Sequence, residues 1–234
     1  MRGVVAVTGT DTGVGKTVTT AALAVSALAQ GRSVAVLKPA QTGVTGEQSG
    51  DVAEVRRLAG DAVTGLELAR YPEPLAPETA ARRAGRPGVP PGRIAEAAQK
   101  LAARHDLVLI EGAGGLLVRF DANGSTLADA AQLLTAPVIV VAAAGLGTLN
   151  ATALTAQALR ARGLTTAGVV IGSLPAAPGL AARCNLEDLP RVAGTALLGA
   201  LPEGAGALAP ADFRRRAPGW VSARLGGNWA PAGR

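Results

Sequence analysis

Aromatic side chains are nearly absent from this 234-residue chain: Tyr71, Phe120, Phe213, Trp220 and Trp229 make up 2% of it. Proteins that grip single-stranded nucleic acid stack its bases on aromatic rings, so that class is excluded. Cysteine is as scarce. Cys184 stands alone, no intrachain disulfide can form, and a small disulfide-stapled secreted scaffold gives way to a reducing cytoplasm. The single histidine, His105, lies at a helix end just before a strand and reads as a surface or C-terminal capping residue. With one His and one Cys no Cys-His pairing or Ser-His-Asp site is evident, and there is no Cys/His metal cluster. Long apolar runs are missing too. The longest, around Pro137–Leu146, falls well below the ~18 residues a membrane-spanning helix needs. The stretch Val4–Val7 runs straight into Thr8-Gly9-Thr10-Asp11, too short and too polar-ended for a signal peptide. A soluble, cytoplasmic protein without a membrane partner is expected.

Lysine is the most telling scarcity. Of 23 basic residues, only Lys16, Lys38 and Lys100 are lysines; plain surface charge is carried by arginine. The net charge of +6 would suit an acidic partner, but the basic residues are scattered. Their one cluster, Arg214-Arg215-Arg216, reads as a solvated helix end. No nucleic-acid partner is expected.

What the chain does have is aliphatic core material, with 48% hydrophobic and 17% charged residues. Near-continuous apolar runs at Val4–Val7, Val34–Leu37, Leu107–Ile110, Val138–Ala142, Val169–Ile171 and Ala196–Leu198 read as buried strands. Helical spacing marks Val18–Gln30, Ile94–Arg104, Leu127–Leu134 and Ala151–Arg162. This rhythm predicts one α/β domain over residues 1–225, an open parallel sheet with helices on both faces. Pro72–Pro77, Arg86–Gly92 and Pro175–Gly179 read as loops within it. The pattern fades after about Pro210, and 226–234 reads as a flexible tail. Ligands of such sheets bind beyond the carboxyl ends of the strands, which directs attention to the segments that follow them.

After the first strand comes Gly9-Thr10-Asp11-Thr12-Gly13-Val14-Gly15-Lys16-Thr17, then an apolar helix. This is a phosphate loop: backbone N–H groups and the helix N-terminus surround a polyphosphate, Lys16 reaches its terminal phosphates, and the Thr17 hydroxyl binds Mg²⁺. The strict G-x-x-x-x-G-K-[ST] pattern would put its first glycine at Thr10; Gly9 stands one residue early. Lys38 ends the second strand, facing the first lysine, with Pro39 behind it and Thr42-Gly43 following. The third strand delivers Glu111, then Gly112-Ala113-Gly114-Gly115; an acid at such a strand tip holds or orients Mg²⁺ in phosphate-loop enzymes. By itself Asp51, before a helical stretch, reads as an N-cap. Gly145-Leu146-Gly147-Thr148-Leu149-Asn150 precedes a helix and reads equally well as an anion nest or as a glycine turn capped by Asn150.

As a set these residues resemble the dethiobiotin synthetase family, in order from residue 1 to about 204. The Thr8-Gly9-Thr10-Asp11-Thr12 opening is far more specific than a generic phosphate loop, and the Thr10 departure belongs to the family's own pattern. The resemblance implies a phosphate-loop NTPase-like fold, a homodimer, and ATP with Mg²⁺. The implied reaction joins 7,8-diaminopelargonate and CO₂ (or bicarbonate) through a carbamate and its mixed phosphoric anhydride. It implies Lys16, Lys38 and Thr12 as catalytic residues and Thr17, Asp51 and Glu111 as metal ligands, raising Asp51 from cap to site. The nucleotide would be held by Gly13, Val14, Gly15, Lys16, Thr17, Val18, Asp51, Glu111, Gly112, Ala113 and Gly114. Thr42 would bond the carbamate, and the partner subunit's version of Gly147, Thr148, Leu149 and Asn150 would hold the substrate's distant carboxylate.

Two departures stand out. Family members often read the adenine edge with an asparagine after the fifth strand, where this chain has Ile171-Gly172-Ser173-Leu174. Base recognition then falls to backbone groups at Gly172 and Ser173 and at Leu201, Pro202 and Glu203, and another nucleoside triphosphate could replace ATP. Ala151 stands where a histidine often follows the asparagine. Rival readings fit less well. A partition or septum-positioning ATPase, a binding switch, would carry a signature lysine where Thr10, Asp11 and Thr12 stand. A GTPase would need an Asn-Lys-x-Asp guanine reader, and an amidotransferase-type cobyrinate synthase a second domain with a Cys-His pair.

Overall fold

The computed structural model describes residues 1–46 and 48–230. In chain order its strands are β1 (Gly3–Gly9), β2 (Val34–Lys38), β3 (Gln41–Thr42), β4 (Val63–Glu67), β5 (Arg70–Tyr71), β6 (Leu107–Gly115), β7 (Val138–Ala142), β8 (Thr166–Leu174) and β9 (Leu197–Pro202). Its helices are α1 (Lys16–Leu28), α2 (Asp51–Ala59), α3 (Pro77–Arg83), α4 (Pro91–Ala102), α5 (Leu127–Leu134), α6 (Thr148–Ala161), α7 (Leu180–Ala193) and α8 (Pro210–Arg216). Seven strands form one sheet in the order β4-β2-β6-β1-β7-β8-β9, and every pairing in it is parallel. β3 and β5 make a separate two-stranded ribbon.

Successive strand residues point to opposite faces, and the two cores follow that alternation. Val5, Val7, Val34, Val36, Leu107, Leu109, Ile139 and Val141 pack against α1, α2 and α8 on one face. Ala6, Leu37, Ile110, Val138 and Val140 pack against α4 to α7 on the other. With both faces covered, the strands read as the continuous aliphatic runs seen in the sequence. The chain steps from β1 outward to β2 and β4, returns to β6 beside β1, and crosses to β7 on the far side. That reversal gathers the carboxyl ends of β1, β2 and β6, the position where open parallel sheets bind ligands.

Several boundaries differ from the sequence reading. β6 stays paired through Gly115 and β8 through Leu174, so Glu111–Gly114 and Gly172–Ser173 are strand residues rather than loop. β4, α3 and α7 have no counterpart in the periodic pattern, whereas α8 ends in the Arg214–Arg216 cluster that reads as a helix end. Residues 226–230, expected to be flexible, are tied to the domain: the N–H groups of Gly227, Asn228 and Trp229 donate to Ser222, Pro218 and Val221 carbonyls at 3.0, 2.8 and 2.9 Å. Residues 231–234 lie outside the described residues. His105 does cap α4, with Nδ1 2.9 Å from the Leu101 carbonyl. No helix among the described residues is long and apolar enough to cross a membrane.

Candidate active site

The loop between β1 and α1 turns on two left-handed glycines, Gly13 (φ 75°) and Gly15 (φ 95°), a conformation that side chains disfavour. Gly9 answers a different need. A Cβ there would lie 2.6 Å from the Asp11 carbonyl and 2.9 Å from Lys16 Nζ. The glycine one residue early is thus the one the loop closes over, and Thr10 needs no such freedom. On its outer side the loop rests on β8: a Cβ on Gly172 would meet the Val14 carbonyl at 2.0 Å, and one on Gly15 the Gly172 carbonyl at 2.5 Å. α1 begins at Lys16 with no side-chain cap and no acidic residue in its first turn. Its first N–H groups therefore lack intrahelical acceptors, and the positive end of its dipole is left for an anion.

Lys16 is buried and its Nζ donates to the Asp11 carbonyl at 2.9 Å. Burial, and next the charge of Lys38, push its ammonium below the ordinary lysine range. Lys38, at the end of β2, is 4% exposed. Its Nζ donates to Glu111 Oε1 and the Gly112 carbonyl, each at 3.0 Å, and pairs with Asp51. Burial opposes its charge, but the carboxylates of Glu111 and Asp51 outweigh burial and raise its pKa. Asp51 is likewise penalised by burial, yet the Lys38 ammonium holds its carboxyl below the usual range.

Asp51 is not an N-cap. Gly50 occupies that position without a side-chain bond, and Asp51 is the first helical residue. Its N–H donates to Gln41 Oε1 at 2.8 Å. Gln41, buried at the start of β3, thus caps α2 from outside its sequence and aims Asp51 at Lys38. Nothing in the local sequence signals that role.

Glu111 is 1% exposed. Its Oε1 also accepts the Thr17 hydroxyl at 2.9 Å, while Oε2 is buried without a hydrogen-bond partner. A buried carboxylate oxygen is costly to leave unpaired, so the orphan marks a place for a cation or its water. Two carboxylates and a hydroxyl meet here. Among the described residues no group of three or more His, Cys, Asp or Glu could hold a metal ion. Two carboxylates with a hydroxyl are a set that fits Mg²⁺, which takes one or two carboxylates and completes its shell with water and phosphate oxygens.

Above these groups opens a cleft of about 750 Å³ lined by Thr12, Gly13, Gly15, Lys16, Thr17, Val18, Lys38, Thr42, Asp51, Ala113 and Gly114. Ala40, Pro74, Leu75, Pro77 and Val118 give it an apolar wall; the Pro74–Pro77 part lies in a stretch that the sequence showed only as a loop. Gly112 sits behind it, close-packed on Leu127, and supplies its carbonyl to Lys38. Val14 is buried. Gly172, Ser173, Leu201, Pro202 and Glu203 do not line the cleft. They gather at the β8 and β9 ends, where the Glu203 N–H donates to the Leu174 carbonyl at 2.8 Å and Leu201 is a core side chain. Gly147–Asn150 do not reach the cleft either. Gly147 (φ 86°) caps α6 with no side-chain bond, Thr148 is buried, and Asn150 faces outward.

A family model described as an AAA domain matches residues 4–210. The ATP-dependent dethiobiotin synthetase BioD of Streptomyces avermitilis is 70% identical over 97% of this chain and 94% of its own length. Its namesake in Saccharopolyspora erythraea is 66% identical over 97% and 99%. Among solved structures, a ParA family ATPase of Chlorobium tepidum (13% identity, 96% of this chain and 94% of that one, TM-score 0.58) shares the fold. So does the cell division ATPase MinD of Pyrococcus furiosus (19% identity, 91% and 89%, TM-score 0.58). Identity at this level along almost the whole of both chains, on a phosphate-loop fold that ends in this cleft, shows that the chain belongs to the dethiobiotin synthetase family.

Proposed function

We infer that this protein uses ATP to convert 7,8-diaminopelargonate and CO₂ into dethiobiotin, ADP and phosphate. The observation that carries the reading is the convergence of two of the chain's three lysines on one cleft, Lys16 at the phosphate loop and Lys38 on the opposite wall. The chemistry needs cations there. One substrate amine adds to CO₂ and loses a proton to give a carbamate. A carbamate oxygen attacks the γ-phosphorus and expels ADP. The second amine then attacks the carbamate carbon, phosphate leaves, and the ureido ring closes.

Each step develops or brings together negative charge in a site partly shielded from water, where fixed ammonium groups act most strongly. The first turn of α1 cradles the β-phosphate, Lys16 and Lys38 draw the γ-phosphate and carbamate together, and Thr12 and Thr42 orient them with hydroxyls. Thr17, Asp51 and Glu111 would hold Mg²⁺, which when bound neutralises the phosphate oxygens. The β8 and β9 ends would receive the base through backbone groups. The Gly147–Asn150 turn, which lies outside its own chain's cleft, would serve the other subunit of a homodimer by taking the substrate carboxylate. The setting would be the cytoplasm, in keeping with the unpaired thiol of Cys184.

The test is phosphate release in Mg²⁺ with and without 7,8-diaminopelargonate plus bicarbonate, repeated with CTP and GTP in place of ATP. Strict dependence on both added substrates, with the ureido product seen by mass, is expected. Hydrolysis that ignores them and responds to DNA would overturn the reading in favour of a switch ATPase.

A further inference from the structure

Asn185 belongs to α7, 40 residues along the chain from Gly145 in the loop after β7, and it is 5% exposed. Its Nδ2 donates to two consecutive carbonyls of the loop after β7, Ala144 at 2.8 Å and Gly145 at 3.0 Å. The carbonyl before them, Ala143, accepts the Thr148 hydroxyl at 2.7 Å. Three successive carbonyl oxygens are therefore engaged by side-chain donors. The chain then emerges at Leu146, which is 92% exposed, and at Gly147, where an added Cβ would meet nothing within 4 Å. Immediately after comes the first turn of α6, without a side-chain cap and without an acidic residue. A carbonyl oxygen carries partial negative charge and repels a carboxylate. Oxygens tied back leave an approaching anion to meet the N–H groups of the turn other than that of Thr148, which donates to the Gly145 carbonyl at 3.4 Å.

We propose that Asn185 is a positioning residue for the substrate carboxylate: its amide holds the Ala144 and Gly145 carbonyls so that the Gly147–Asn150 turn keeps its anion-accepting shape. The proposal rests on the reading above that this turn takes the carboxylate. Asn185 itself touches no substrate. Its role is to fix the loop through two hydrogen bonds from one buried donor group; Gly145 is exposed but Ala144 is buried, and a buried carbonyl that loses its donor moves to find another.

The test is Asn185→Leu, which keeps the branching at Cγ without donors, assayed with 7,8-diaminopelargonate and with a vicinal diamine of the same chain length that lacks the carboxylate. KM for the diamino acid should rise roughly tenfold, as expected when a buried bonding group is removed. KM for ATP and kcat should hold, and the preference for the carboxylate-bearing substrate should shrink by the same factor. A merely structural role would change KM for both diamines alike and leave their ratio unmoved, which overturns the proposal. Should Asn185→Leu not fold, Asn185→Gln keeps the donors on a longer stem, and its preference should fall between wild type and none; an unchanged ratio overturns the proposal there too. Asn150→Ala separates the two readings. If it lowers the preference while the Asn185 variants do not, the turn binds the carboxylate and Asn185 does not position it. If Asn150→Ala leaves the preference intact, the reading of the turn falls, and the role of Asn185 with it.

Discussion

Replacing Lys38 by methionine should cost the fold stability as well as activity, and the size of the loss follows from what Lys38 touches. Its ammonium is 4% exposed and is the cation paired with Glu111, itself 1% exposed. Methionine fills the space and removes the charge. Glu111 would then hold a buried carboxylate with one oxygen already unpartnered and the other reduced to the Thr17 hydroxyl. Removing one member of a buried ion pair costs about 3–5 kcal/mol, out of a total stability of roughly 5–15 kcal/mol. In a domain of this size each kcal/mol shifts Tm by roughly 2–4 °C, so Tm should drop by about 6–20 °C. Asp51 contributes less to the loss, since its side chain is 35% exposed and can rehydrate.

Scanning calorimetry without nucleotide would measure this. Lys38→Met/Glu111→Gln should recover most of the loss, because the unpaired charge is gone. The pH dependence has a definite sign. Burial works against Asp51, but Lys38 holds its folded pKa below the ordinary carboxylate value. Its stabilising contribution is therefore present above that value and lost as pH falls through the depressed one. Lys38 has a raised folded pKa, so its contribution is complete below the ordinary lysine value and lost only as pH climbs through the raised one. The wild-type pair is flat across neutral pH. A Tm change under about 2 °C, or a double variant no better than the single one, would mean that Lys38 does not balance the Glu111 charge.

Gly172→Ala would put a methyl group 2.0 Å from the Val14 carbonyl and push the phosphate loop off β8; ATP affinity by calorimetric titration should fall at least tenfold, and unchanged affinity would discard the packing argument. Because burial and the charge of Lys38 lower the Lys16 pKa, ATP binding should weaken on the alkaline side at a lower pH than an ordinary lysine would give. In Lys38→Met that limb should move to higher pH, as a nucleotide titration between about pH 7 and 10.5 would show. Mixing Lys38→Met with Asn150→Ala subunits should give more turnover than the sum of the two parts at diamino acid concentrations that limit Asn150→Ala, if each cleft draws on the other chain's α6; activity no greater than that sum argues against shared sites.

How much of this was legible in the sequence depended on how local the cause was. β1, β2, β6 and β7 are buried on both faces and announce themselves as unbroken aliphatic runs. β4 is an edge strand reading Val63-Thr64-Gly65-Leu66-Glu67, with a glycine and polar residues among its apolar ones, and it leaves no such run. α7 carries Pro190 inside it, which argues against a helix until the surrounding packing is known. The phosphate loop was legible because glycine, lysine and threonine act within a few residues of one another. The grouping of Lys38, Asp51 and Glu111 was only inferable by supposing that the strands lay side by side. The register of β2 against β6, with Leu37 opposite Ile110, is what sets the next residues, Lys38 and Glu111, within hydrogen-bonding distance.

Residues that act through the backbone of another segment leave no local trace. Gln41 terminates α2 from a different element, so Asp51 looked like a cap in the sequence although the cap came from elsewhere. Freed from capping, the Asp51 carboxylate can pair with Lys38, and the pairing explains why a lysine can be almost wholly buried here at all. A buried ammonium is costly unless its charge is matched and its hydrogens are bonded, and for Lys38 Asp51, Glu111 and the Gly112 carbonyl together meet both demands. The cleft is thus assembled with its cation balanced before any phosphate arrives. An incoming anion must compete with Asp51 and Glu111 for Lys38, while Lys16, bonded only to a neutral carbonyl among the described residues, is the readier of the two to turn toward it.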